Sequence, residues 1–217
     1  MSKTILVTGS SGFIGFNLSK LLMDNGNNVI GVDSYNNAYD PSFKRLRQKV
    51  LNTKNNFKEF ELNLDTKENL ESLEKENIDI VFHLAARAGV RQSFLDPISY
   101  IKDNSIATTN IANFVKDMNI KTLVLASTSS IYGDSGQEEM VEGVNEKIEP
   151  PSIYAASKLS GEVFAKNILE GTESNVVITR FFTVYGPFGR PDMSVLRFIH
   201  WVVAVSYTHL TLPTNTV

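Results

Sequence analysis

Residues 4–33 read TILVTGSSGFIGFNLSKLLMDNGNNVIGVD, and the reading of this stretch decides the fold. Ile5, Leu6 and Val7 form a short apolar run suited to a strand buried on both faces. Gly9, Gly12 and Gly15 follow in a G-x-x-G-x-x-G spacing. Phe13, Ile14, Leu18, Leu21 and Leu22 recur at helical spacing, and Gly26 stands where that helix should stop. Val29, Ile30 and Val32 make a second strand that ends at Asp33.

Strand, glycine-rich turn, helix and strand together predict a dinucleotide site. A helix N-terminus offers unpaired N–H groups and a partial positive charge to a pyrophosphate. Glycines allow a tight turn and a close approach of backbone to phosphate. A carboxylate at the tip of the second strand accepts from both ribose hydroxyls and repels a 2′-phosphate, so Asp33 favours NAD over NADP.

The bulk properties narrow the classes. The chain has 217 residues, enough for one large domain or one domain and part of a second, and 42% hydrophobic residues support a real core. A net charge of −3 gives no argument for nucleic acid or an anionic membrane as partner. There is no cysteine, which excludes disulfides and thiol catalysis. Three scattered histidines (His83, His200, His209) predict no metal site. The first strand leaves no room for a signal peptide, and the apolar run near Phe198 is too short to span a bilayer, so a cytoplasmic location is expected.

Strands and helices alternate along the rest. Residues 34–51 predict a loop and then a short basic surface helix. Asn36 and Asn37 lie within reach of an adenosine or are turn formers. A third strand is expected over Phe57–Leu64, ending at Asp65, which either accepts from an adenine amino group or caps the next helix, near residues 66–76. The run IDIVFHL (78–84) predicts a fourth buried strand, in which His83 reads as a satisfied core histidine. Small residues follow it: Ala85, Ala86 and Gly89 leave room for a flat ligand at the strand's end. Arg91 and Ser93 are expected in a loop over the same edge, and a long helix over Pro97–Met118, carrying Asn104 as a polar residue in need of partners.

Thr122–Ala126 predicts a fifth strand leading into STSSIYG (127–133), and an acidic loop covers residues 133–150. Pro150 and Pro151 open a helix with Ser152, Tyr154, Ser157, Lys158 and Gly161. A sixth strand is expected over Val176–Thr179, leading into RFFTVYGPFGRPDM. The pattern predicts an α/β fold: a Rossmann-like doubly wound parallel sheet with helices on both faces.

Tyr154 and Lys158 share one helical face as Y-x-x-x-K. A tyrosine titrates near 10 in water, and a neighbouring ammonium together with a positive nicotinamide favours the phenolate. Tyr154 would then take a proton from a sugar hydroxyl while the carbon-bound hydrogen leaves as hydride. Lys158 would also hold the nicotinamide ribose, and a hydroxyl at Thr128 or Ser129 would position the substrate oxygen.

TGSSGFIG, the Asp33 strand end, HLAA, KDNSIATTN, STSSIYG, YAASK and RFFTVYGP together resemble the extended short-chain dehydrogenase/reductase family, the NAD-dependent nucleotide-sugar epimerases and dehydratases. The resemblance runs from residue 4 to about 198. It implies that Gly9, Gly12, Phe13, Ile14, Gly15, Asp33, Asn37, Asp65, Ala85, Ala86 and Asn104 line an NAD site together with Tyr154 and Lys158. It implies that Thr128, Tyr154 and Lys158 are catalytic.

VDSYNNAYDPSFKRLR, HLAARAGVRQS and RFFTVYGPFGRPDM look most like the UDP-glucuronate 4-epimerases, including capsule-biosynthesis members. Thr183 stands where galactose epimerases carry asparagine. Arg190 is expected to help hold the UDP-sugar or to cap its loop, with Arg91 facing it; a guanidinium suits a pyrophosphate or a uronate carboxylate. Related dehydratases and decarboxylases carry a glutamate two residues after the catalytic hydroxyl. Here Ser129 and Ser130 follow Thr128 and would bind the substrate carboxylate without driving elimination. The resemblance leaves open UDP-N-acetylglucosamine as substrate and an NAD-binding fragment without turnover.

It also implies a homodimer through a four-helix interface, built from the Pro97–Met118 and Pro151–Glu170 helices, and a smaller C-terminal substrate lobe that is largely missing here. Residues 1–200 are expected to form the NAD-binding domain. From Val202 the text VVAVSYTHLTLPTNTV is uncharged and resembles translated adapter or vector sequence, so residues 201–217 are expected to be a non-native or frame-disrupted tail.

Overall fold

The computed structural model describes residues 2–133, 149–191 and 193–204. Most of the predicted acidic loop and the end of the tail lie outside them. Two compact units divide the chain, residues 1–183 and 184–217.

The first unit is built on six parallel strands: β1 (Thr4–Thr8), β2 (Asn28–Asp33), β3 (Phe57–Glu61), β4 (Ile80–His83), β5 (Thr122–Thr128) and β6 (Asn175–Phe181). Their order is β3-β2-β1-β4-β5-β6, the Rossmann order. Strand order reverses between β1 and β4, which pair from Ile5–Ile80 to Thr8–His83. In open sheets of this kind ligands bind in the crevice beyond the strand ends at that reversal.

Alternation along the strands distributes the core to two faces. Ile5, Val7 and Val29 pack with Phe16, Met23 and Leu51, contributed by α1 (Phe13–Asp24) and α2 (Pro41–Leu51). Leu6, Ile30, Val81, Leu123 and Leu125 face the other way. There they meet Ile111 and Val115 of a helix over Ala107–Asp117 and Ala165 and Leu169 of one over Ile153–Leu169. The sheet is therefore covered on both sides, as the apolar strand runs require.

Several boundaries differ from the sequence expectation. β3 ends at Glu61, and only a 3-10 turn over Lys67–Leu73 follows. Arg91 and Ser93 lie on a short helix, α3 (Val90–Leu95), where the sequence suggested a loop; Ser93 is buried and donates to the Val90 carbonyl. The expected helix over Pro97–Met118 is three consecutive pieces. These are α4 (Pro97–Tyr100), a π-helical turn over Ile101–Ile106, and α5 (Ala107–Asp117). The surface helix α2 buries two cations, Lys44 and Arg47. The Tyr/Lys helix, α6, spans Ile153–Leu169. The second unit contributes α7 (Ser194–Val203), a helix the sequence reading did not anticipate.

Candidate active site

The glycine-rich turn is pinned by the strand beside it. Gly9 and Ser10 both donate to the Val32 carbonyl, and Gly12 donates to the Gly9 carbonyl at 2.9 Å. Gly9 has φ +71°, and a Cβ there would lie 2.9 Å from the Ala85 backbone. A Cβ on Gly15 would lie 2.1 Å from the Gly9 carbonyl oxygen. The turn therefore admits no side chain at either position. No side chain caps α1, so the first-turn N–H groups of Phe13, Ile14 and Gly15 are left to an external acceptor.

Asp33 closes β2 beside this turn. It is 5% exposed, and its Oδ1 accepts from the Tyr35 N–H (2.9 Å) and the Lys44 ammonium (3.1 Å). Lys44 also donates to the Asn36 side chain. The sequence reading missed Lys44; its only signal was membership of a basic run that reads as solvated. Asn36 is held in this network, whereas Asn37 is exposed. Asp65 is part-exposed and accepts from Thr66, which itself precedes the 3-10 turn.

Across the crevice the end of β4 is tied to β1. The Ala85 N–H donates to Thr8 Oγ1, and Thr8 Oγ1 also pairs with His83 Nδ1 at 2.7 Å. His83 Nε2 pairs with Thr108, so this histidine is a satisfied core residue. Burial, with the nearby Lys158 charge, pulls its pKa down to about 3. Ala86 is exposed on the same edge.

Asn104 lies fully buried in the π-helical turn. Such turns occur often at functional sites, because the extra residue re-aims side chains. Its amide accepts from Arg87 N–H, and donates to the Arg87 carbonyl and to Ser157 Oγ at 2.9 Å. Ser157 in turn donates to the Tyr154 carbonyl. The partners that a buried amide requires are thus the β4 exit on one side and α6 on the other.

Ser152 caps α6 through the Ala155 N–H, which fixes where the Tyr154 turn begins. Tyr154 is half-buried, with its ring edge-on to Tyr100 at 6.2 Å and 78°. Lys158, one turn on, is 4% exposed. Neither the Tyr154 hydroxyl nor the Lys158 ammonium makes a hydrogen bond among the described residues. Burial brings the Lys158 pKa down to about 8, against an opposing pull from the Glu162 charge. Thr128 ends β5 and is buried, its Oγ1 accepting from Ser130 N–H at the head of a 3-10 turn over Ser129–Tyr132. α6 packs against this turn and against β5. Ser129 and Ser130 are part-exposed there.

Of the remaining expected residues, Arg91 is exposed on α3 and Thr183 is exposed two residues beyond β6. Arg190 belongs to the second unit. Among the described residues no His, Asp and Glu side chains cluster as a metal site would require, and no helix is long and apolar enough to cross a membrane.

Known proteins resemble this chain in sequence and fold. The UDP-glucuronate 4-epimerase of Thermodesulfobacterium geofontis is 41% identical over 198 residues, covering 91% of this chain and 61% of that protein. Protein CapI of Staphylococcus aureus is 40% identical over 204 residues, covering 92% and 59%. The crystal structure of UDP-glucuronic acid 4-epimerase from Bacillus cereus, in complex with UDP-glucuronic acid and NAD, superposes with a TM-score of 0.80. It is 32% identical, and the match covers 93% of this chain and 63% of that one. The chain thus spans about three fifths of the length of these relatives. The model of the NAD dependent epimerase/dehydratase family matches residues 5–212, and the chain belongs to that family.

Proposed function

We propose that this chain carries the cofactor site and the proton- and hydride-transfer residues of an NAD-dependent UDP-sugar 4-epimerase, acting on UDP-glucuronate to give UDP-galacturonate. The observation that carries the reading is the Tyr154–Lys158 turn. Both polar ends are unpaired among the described residues, on a helix packed against the Thr128 strand end; the same sheet carries the glycine-rich turn before a helix with no side-chain cap.

The residues present fit NAD. The turn, which carries no Cβ at Gly9, Gly12 or Gly15, would take the pyrophosphate against Phe13, Ile14 and Gly15, and Asp33 would take the adenosine ribose. Asn37, Asp65, Ala85, Ala86 and Asn104 complete the proposed site. When bound, NAD supplies a hydride acceptor that becomes the donor later in the same turnover.

Tyr154 would remove the proton from the sugar 4-hydroxyl, with the Lys158 ammonium stabilising the phenolate. Thr128 would hold the same oxygen by hydrogen bonding. With the hydride chemistry supplied by NAD, Tyr154 would take the C4 hydroxyl proton and later return it, so that C4 would be inverted without net oxidation. Ser129 and Ser130 follow Thr128 where a carboxylate would promote elimination; their hydroxyls would instead bind the substrate carboxylate, which favours epimerisation. Arg91, Thr183 and Arg190 are proposed to contact the UDP-sugar. The uronate substrate is supported by the names of relatives in sequence and structure.

Incubation of the purified chain with UDP-glucuronate, followed by chromatography and proton NMR, tests this. Formation of UDP-galacturonate is the expected result. Conversion of UDP-N-acetylglucosamine in preference to the uronate would replace the substrate. NAD binding without turnover of either sugar would reduce the function to cofactor binding.

A homodimer is proposed through the Pro97–Met118 segment and the Pro151–Glu170 helix. Ile98, Ile101 and Ile106 are exposed on the first, Val163 and Phe164 on the second. Sedimentation equilibrium of the chain, with Val163→Asp and Phe164→Asp as dissociating variants, checks it.

A further inference from the structure

Lys158 is buried, and its ammonium makes no hydrogen bond among the described residues. An ammonium in that setting gives up its proton unless an anion stands near. One turn further along α6 lies Glu162, 2% exposed. Tyr154, Lys158 and Glu162 recur at four-residue spacing, so they form one stripe of the helix, with successive Cβ atoms about 5–6 Å apart. Glu162 is anchored from outside that stripe. Arg180 of β6 donates to it through Nη2 at 2.7 Å and Nε at 3.0 Å, and Ser127 of β5 donates as well. Ser127 directly precedes Thr128, so the carboxylate sits between the lysine and the strand end that carries the expected catalytic hydroxyl.

The other charged and titratable groups around α6 are engaged elsewhere or lie outside. Arg180 pairs with Glu162 itself and donates to Tyr132. Asp103 of the π-helical turn pairs with Arg87, and the Tyr100 hydroxyl of α4 donates to the Ala88 carbonyl. Arg91 of α3, Lys102, and Lys116 and Asp117 of α5 are exposed, as is Lys166 on α6. His83 of β4 is kept neutral by burial. Among the described residues Glu162 is the one buried anion on these elements.

We propose that Glu162 is a positioning residue for the proton transfer: the internal counter-charge that keeps the Lys158 ammonium protonated beside Tyr154. Its catalytic consequence rests on the epimerase reading above. Burial and the carboxylate pull Lys158 in opposite directions, and the balance stands at about 8. A unit charge ~6 Å away in a protein interior changes proton affinity by about 100-fold, part of which Arg180 offsets. Loss of the Glu162 charge would therefore leave Lys158 largely neutral at neutral pH, and a neutral amine does not stabilise a phenolate. Lys158 would need the counter-charge more with an oxidised nicotinamide bound, since a second positive charge opposes its own.

NMR titration of Lys158 tests this in the purified chain carrying 13C at the lysine Cε, with Lys158→Arg assigning the signal. The wild type should titrate near pH 8. Glu162→Gln keeps the shape and should lower the proton affinity of Lys158 about tenfold, and Glu162→Asp should restore most of it. A merely structural role predicts the opposite: loosened packing lets water reach Lys158 and moves it up towards 10.5. An unchanged or raised midpoint in Glu162→Gln overturns the proposal. If that variant does not fold, Arg180→Met and Glu162→Gln/Arg180→Met are compared. A lower Lys158 midpoint in the double variant supports the counter-charge, and an equal or higher one overturns it. In turnover of UDP-glucuronate the acid limb of kcat should move to higher pH in Glu162→Gln and return in Glu162→Asp. A limb that stays in place while the Lys158 midpoint falls overturns the role in proton transfer. A chain that turns over neither sugar removes the epimerase reading, and the titration then decides the counter-charge by itself.

Discussion

Arg180 and Glu162 are joined in an ion pair behind the candidate active site, with Arg180 Nη2 2.7 Å from Glu162 Oε2 and Nε 3.0 Å from Oε1. Glu162 is 2% exposed and also accepts from Ser127 of β5. Arg180 lies on β6, donates to Tyr132 and stacks on its ring at 5.1 Å. One carboxylate on α6 thus ties that helix to β5, to β6 and to the turn after Thr128.

Removing one partner of such a pair is expected to cost more than removing both. Arg180→Met leaves a buried carboxylate with Ser127 as its remaining hydrogen-bond donor among the described residues and the Lys158 charge nearby, and should destabilise by about 3 kcal/mol. Glu162→Gln combined with Arg180→Met should recover part of that loss, a coupling that urea unfolding of the double-mutant cycle measures.

Two buried bases make stability depend on pH in the same sense. The Lys158 pKa is depressed to about 8 from an unfolded value of 10.5. Below pH 8 both states are protonated and the burial cost is present in full. From 8 to 10.5 the unfolded state binds more protons, so stability rises, and above 10.5 the cost is gone. His83, depressed to about 3 from 6.5, behaves likewise at acid pH. Stability should fall as pH drops from 6.5 towards 3. Unfolding temperatures across both windows check this, with Lys158→Met expected to flatten the alkaline rise.

Gly15→Ala should disrupt the turn, because the added carbon meets backbone of Gly9 and Ser10 rather than a movable side chain. Loss of dinucleotide binding, with a fall of several degrees in unfolding temperature, is expected. Gly26, at φ +79° with open space around it, gives the contrast. Gly26→Asn retains a residue tolerant of that backbone region and should leave binding intact.

Tyr154→Phe removes a hydroxyl that has no hydrogen bond among the described residues, and should leave the fold nearly unchanged and lower NAD affinity far less than turnover. Turnover of UDP-glucuronate should fall by about 10²-fold or more, the usual contribution of a positioned general base. Equal loss of NAD affinity and turnover would place Tyr154 in binding alone.

The βαβ unit at residues 4–33, the alternation of strands and helices, and the Tyr154–Lys158 spacing were legible in the sequence because each is a local pattern. Apolar period, glycine spacing and a four-residue helical repeat are set by neighbours along the chain. What only the tertiary structure decided depends on groups far apart in sequence. The basic run in α2 looked solvated, but the fold turns Lys44 onto Asp33, eleven residues earlier. The long helix after Pro97 gains a π-helical turn at Asn104, whose amide bridges Arg87 and Ser157. Glu162 and Arg180 meet because α6 lies across β5 and β6. Local propensity specifies which segments become strands and helices. The partners of buried charges and amides are specified by packing, since a polar group removed from water must bond to whatever the fold brings within reach.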